Sequence, residues 1–146
     1  MSEQALWKNL RKKMVPEFWY EATRHEDKLQ GGIADVSFVT SIPNSYEGAH
    51  GWMELKKTEL LPVRETTIVR LPHYTDAQRI FLLEKGQYAG MSFLLLQAER
   101  DYLLFNWRAA QSVGHLTTAD LYGKADWVSK GKLDAASLWE AILEWR

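Results

Sequence analysis

Gly31-Gly32-Ile33-Ala34-Asp35-Val36-Ser37-Phe38 and Gly51-Trp52-Met53-Glu54-Leu55-Lys56 are two short segments rich in strand-forming residues that carry two carboxylates and a lysine between them. Side chains alternate along a strand, so Glu54 and Lys56 project from one face and Leu55 from the other. If the segments pair, Asp35 is brought to the same corner. An Asp and a Glu are hard oxygen donors suited to Mg²⁺ or Mn²⁺, and a lysine two residues on can hold or activate a water beside them.

Working outward, Ser41 to Gly51 contains Pro43, Asn44, Ser45 and Gly48, which makes it a hairpin connection between strands Ile33–Thr40 and Trp52–Thr58. Upstream, Gln4 to about Arg24 is expected to be helical, from the spacing of Leu6, Leu10, Met14 and Phe18. Pro16 interrupts that pattern, so two helices or one kinked helix are both compatible with it. Downstream, Glu65 to Leu71 is a third strand candidate between Pro62 and Pro72. Thr75 signals a helix running to Gly86, and Gly90 to Gln97 is an apolar run typical of a strand covered on both faces. Glu99-Arg100-Asp101 turns it into a hairpin with Asp101–Trp107. A final helix is expected over Leu133–Trp145, with the polar stretch from Thr117 to Lys132 holding at most a short one. The order is αβββαββα: an α/β chain with a mixed central sheet flanked by helices, read as one domain over 1–146 with a helical extension from about 117.

Bulk composition narrows the function classes. The chain has 146 residues, 46% hydrophobic and 25% charged, with seven Trp. It has no cysteine, which excludes disulfides, thiolate metal sites and a cysteine nucleophile and fits a reducing cytoplasm. Met1 to Lys13 has no apolar h-region, and Met91–Leu96 is too short to span a bilayer, so neither a signal peptide nor membrane insertion is expected. A net charge of -1 opposes a protein that coats nucleic acid over its whole surface and leaves room for a local site. His25, His50, His73 and His115 lack zinc-ligand spacing and are read as surface residues. Gly123-Lys124 and Gly131-Lys132 lack the rest of a phosphate loop. The large rings are read mainly as core, with Trp19, Trp139 and Trp145 as candidates for a dimer face.

A Glu-x-Lys on a strand is ordinarily a solvated ion pair of little energetic value. Here it follows an Asp on the preceding strand, a double glycine, and precedes a helix bearing Gln78. In that order Asp35, Glu54 and Lys56 resemble the signature of the PD-(D/E)XK nuclease superfamily, in particular its small phage, VRR-NUC and resolvase-like members. Arg24-His25-Glu26 stands at the place of the family's Arg-x-Glu, and Ala34 replaces its usual proline. The resemblance covers roughly Arg24 to Leu96.

That resemblance implies a restriction-endonuclease-like fold and a Mg²⁺- or Mn²⁺-dependent DNA endonuclease, selective for branched or junction DNA and acting as a homodimer in the cytoplasm of a phage's host. It implies that Asp35, Glu54 and the Leu55 carbonyl bind the metal and that Lys56 orients the attacking water. Glu26 joins from upstream, preferred over Glu17 and Glu21, and Gln78 supports the site. Lys28, Lys57, Arg64 and Arg79, together with Arg70, are the candidate DNA phosphate contacts. Two other readings from the sequence are a non-enzymatic DNA-binding or packaging subunit that keeps the fold, and a structural or toxin-neutralising interaction protein with the aromatic residues as its interface.

Overall fold

The computed structural model describes residues 3–26 and 32–145. Helix α1 (Glu3–Met14) buries Leu6, Leu10 and Met14, one side chain per turn, and carries Arg11, Lys12 and Lys13 in its last turn, where they complement the negative end of its dipole. It ends there. The helix expected to reach Arg24 stops ten residues short, because Pro16 cannot sustain the helical hydrogen bonds. Residues Glu21–Arg24 instead form an edge strand, β1. Trp19 in the connection is fully buried and stacks on Phe38 with ring centroids 4.3 Å apart, so it belongs to the core and not to a dimer face.

Strand β2 (Val36–Ser41) pairs antiparallel with β1 and with β3 (Gly48–Thr58) in the register Val36 opposite Met53 through Ser41 opposite Gly48. The expected third strand shrinks to Ile68–Val69 (β4), which lies outside the main sheet. Helix α2 (Asp76–Ala89) opens with a capping box in which Thr75 and Gln78 exchange backbone and side-chain hydrogen bonds, and it runs three residues past Gly86 to close at Gly90.

Strand β5 (Ser92–Ala98) is buried along its whole length, as its unbroken apolar run requires. It pairs parallel with β3, making β3–α2–β5 a crossover unit, and antiparallel with β6 (Asp101–Asn106). A 3₁₀ turn at Ala109–Gln111 leads to β7 (Leu116–Thr117), the antiparallel partner of β4. Helix α3 (Thr118–Lys124) follows, then β8 (Trp127–Ser129) and α4 (Ala135–Leu143). The C-terminal part is thus more than a helical extension, since β8 adds a strand beside β6.

The main sheet runs β1-β2-β3-β5-β6-β8, with β4-β7 as a separate ribbon. Alternation along β3 divides its residues between two cores. Met53 and Leu55 enter a layer with Leu6, Leu10, Phe38, Phe93, Leu138 and Ile142, under α1 and α4. Trp52 lies against the opposite layer of Leu82, Leu94, Leu96, Phe105 and Leu121, under α2 and α3. Trp139 on α4 and Trp145 just past its end are half-buried against the first layer. Among the described residues no helix is long and apolar enough to cross a membrane.

Helix α2 seats on its core through Gly86, where an added Cβ would lie 2.0 Å from the Trp107 ring. Gly86→Ala is therefore expected to overpack this interface and destabilise by about 1–3 kcal/mol, despite the better helix propensity of alanine. Urea denaturation against wild type measures it, and an unchanged midpoint would mean that Trp107 moves freely.

Candidate active site

The site forms where β2 leaves β3. Their ladder ends at Val36 opposite Met53, while β3 continues for five more residues with β5 alone. The next donor on the vacated side, Leu55 N, donates to Asp35 Oδ2 at 2.9 Å. Asp35 is held from the other direction too, since its backbone oxygen accepts from His25 N at 2.8 Å, just past the end of β1. The N–H and C=O of one strand residue point to the same side, so the Leu55 carbonyl faces the edge that Asp35 occupies.

Glu54 and Lys56 flank Leu55, and both are buried, Glu54 at 0% exposure and Lys56 at 5%. Charges survive inside a protein only when paired. Lys56 Nζ lies 3.5 Å from Glu54 Oε2 and 3.8 Å from Glu3 Oε1, and it donates to the His73 carbonyl at 2.8 Å. The three acceptors come from β3, from the first turn of α1 and from the loop before α2. Glu3, Lys56, Arg70, Leu71, Pro72 and His73 line a cavity of about 170 Å³ at this point.

Two features close the inner wall. Tyr74 is buried and donates to the Ala110 carbonyl at 2.9 Å. Burial drives its phenol well above the ordinary value; nearby Arg79 opposes this and Glu54 adds to it, so Tyr74 stays neutral beside the carboxylate. Gly32, at φ 100°, lies so close to the start of α2 that a Cβ there would meet the Ala77 carbonyl at 2.6 Å. The second glycine of the pair therefore does more than turn the chain: it lets the segment before Asp35 approach the helix.

Of the residues singled out from the sequence, Asp35, Glu54, Leu55 and Lys56 converge. Glu26 is exposed and makes no hydrogen bond or ion pair among the described residues. Glu17 is exposed, and Glu21 stands at the far end of β1 opposite Val39. The acid that reaches Lys56 is Glu3, which the sequence reading passed over. A signal for it exists: Glu3 shares the spacing of Leu6 and Leu10, so the buried face of α1 carries a carboxylate at its end.

Gln78 lines up differently from expectation, its Oε1 accepting from Thr75 N at 2.9 Å in the helix cap. Arg79 is bound to the Tyr74 and Val113 carbonyls, and its guanidinium lies over the Tyr74 ring. Lys57 pairs with Glu59 at 3.7 Å. Arg64 is exposed and lines a separate groove with Thr118, Tyr122 and Lys130. Lys28 lies outside the described residues. His25, read as a surface residue, is half-buried and hydrogen-bonded to Ser37.

Among the described residues no three carboxylate or imidazole side chains converge as a metal cage. Asp35, Glu54 and the Leu55 carbonyl instead make an all-oxygen set that could hold a hard cation retaining several waters.

No family model matches this sequence, and no curated protein does. Among solved structures, the chain is similar to Hjc, a Holliday junction resolvase from the archaeal hyperthermophile Archaeoglobus fulgidus, with a TM-score of 0.56 at 13% identity over 93% of this chain and 98% of that one. At that identity the likeness is one of fold: the mixed central sheet flanked by helices is that of a resolvase and of restriction-endonuclease-like proteins.

Lys56→Ala takes a buried cation from between Glu54 and Glu3. Breaking a buried pair costs about 3–5 kcal/mol, so the variant is expected to unfold at markedly lower urea at pH 7. Equal midpoints for variant and wild type would show that the pair contributes no net stability.

Proposed function

We propose that this chain, built on the fold of a junction resolvase, is a divalent-metal-dependent DNA endonuclease of the PD-(D/E)XK type that cuts branched or junction DNA. The observation that carries the reading is the buried constellation at the parting of β2 and β3: Asp35 fixed to the Leu55 backbone, with Glu54 and Lys56 on either side. Burying two carboxylates and a lysine costs stability that an apolar corner would not. A catalytic role accounts for that cost.

Asp35, Glu54 and the Leu55 carbonyl would hold Mg²⁺ or Mn²⁺. When bound, the ion supplies Lewis-acid polarisation of a phosphate oxygen and lowers the pKa of water. The chain's own residues do the rest. Lys56, anchored by the His73 carbonyl, presents a fixed positive charge where negative charge gathers on the phosphoryl oxygens, and it orients the attacking water. Glu3, within 3.8 Å of the same ammonium, is the acid that joins from upstream in place of Glu26. Arg70 on the cavity wall is placed to meet a phosphate.

The same reading takes residues 1–146 as one nuclease domain acting as a homodimer, so that two sites meet two strands, and sets it among phage-type proteins working in a host cytoplasm.

Labelled linear, nicked, flapped and four-way DNA incubated with the protein in Mg²⁺, Mn²⁺ or EDTA tests the reading. Cleavage is expected on branched DNA with metal only. Asp35→Ala and Lys56→Ala should each lose about 10²–10³-fold or more in rate, as does removal of a group that stabilises transition-state charge. Glu3→Gln should lower the rate, and Glu26→Gln should leave it near wild type. Binding without cleavage under every metal would favour the non-enzymatic subunit instead.

A further inference from the structure

One face of β3 presents a continuous row, His50, Trp52, Glu54 and Lys56, running from the solvent-exposed histidine to the buried catalytic pair. Trp52 is the pivot of a cluster that the nuclease chemistry does not use. Its ring lies 5.3 Å from His50 and 5.0 Å from Phe81, both edge-to-face, and 5.3 Å from His25, tilted by 36°. Lys85 Nζ stands 5.5 Å from the Trp52 ring and 5.4 Å from Phe81. His25 is fixed in turn by Ser37, at 2.8 Å from its Nε2, and the Trp52 backbone is fixed by the Met91 carbonyl at 2.9 Å.

Two imidazoles and an ammonium gathered around a half-buried indole are poor material for a core, where apolar side chains would pack without polar atoms to satisfy. They suit a flat, electron-rich ligand that also carries negative charge. Nucleotides have that chemistry: a base stacks on aromatic rings while nearby cations meet its phosphate. Trp52 and Glu54 are one same-face step apart on β3, about 6.8 Å, so the cluster adjoins the proposed site.

On the nuclease reading given above, on which this rests, we infer that the Trp52 cluster seats the unstacked base of the nucleotide beside the scissile phosphate. A continuous duplex keeps that base in its stack and cannot fill the seat without the cost of unstacking; a branch point, nick or flap supplies it already free. The cluster thus selects substrate structure by stacking, with no reading of base identity.

The test uses the whole protein in EDTA and DNA carrying 5-iododeoxyuridine at the nucleotide flanking a flap or four-way branch, or at the same position in continuous duplex. Irradiation followed by mass spectrometry should place the adduct on Trp52, His50 or Phe81 with branched DNA and give none there with duplex. Trp52→Ala should weaken binding of branched DNA by about 5- to 150-fold, the loss expected for one base–aromatic stack, and leave duplex binding unchanged. Trp52→Phe should retain most of the affinity, and His50→Ala, an exposed position, should lower the preference for branched DNA without affecting folding as followed by circular dichroism. Adducts that map elsewhere, or equal losses on branched and duplex DNA, overturn the inference. If wild type still cleaves branched DNA in Mg²⁺ or Mn²⁺ in that case, the nuclease reading survives it; a protein that binds no DNA of any form removes both.

Discussion

The hydrogen bond from Leu55 N to Asp35 Oδ2 is the constraint around which the structure is arranged. Where two strands part, one of them is left with backbone donors and acceptors that the ladder no longer satisfies, and a buried peptide group cannot remain unpaired cheaply. Here a side chain takes over from the departing strand. That substitution gives Asp35 one orientation and leaves the Leu55 carbonyl facing the gap where the two strands part.

The other elements serve that gap. Helix α1 brings Glu3 to it along the line of its buried stripe, the loop before α2 brings the His73 carbonyl, and both meet at Lys56. Gly32 permits the close approach of the chain to α2. Arg79, bound to carbonyls on both sides of the helix start, fixes the loop that carries His73 and Tyr74. It therefore holds the wall of the candidate site in place. The parallel pairing of β3 with the fully buried β5 supports this platform from the other side.

Hydrophobic period and punctuation made most of the architecture legible. The apolar run ending at Gln97, the turn at Glu99-Arg100-Asp101 and the Thr75 cap are local signals, and each appears in the fold close to where it was expected. The failures share one cause. Residues Glu21–Arg24 and Ile68–Val69 are short, weakly patterned segments whose strand character comes from a partner far along the chain, β2 in one case and Leu116–Thr117 in the other. No local propensity anticipates a pairing of that kind.

The sequence by itself determined the centre of the candidate site: an Asp at the head of one strand and a Glu and a Lys two residues apart on the next, whose alternation places Glu54 and Lys56 on one face whatever the rest of the chain does. Only the tertiary structure decided which other groups meet them. Glu3 and the His73 carbonyl reach Lys56 from opposite ends of the first half of the chain, while Glu26, closer in sequence to Lys56 than Glu3 is, does not. Local geometry repeats over two to four residues and can be read from them. Convergence of distant segments depends on how whole helices and strands pack, and that is set by the two cores on either side of the sheet.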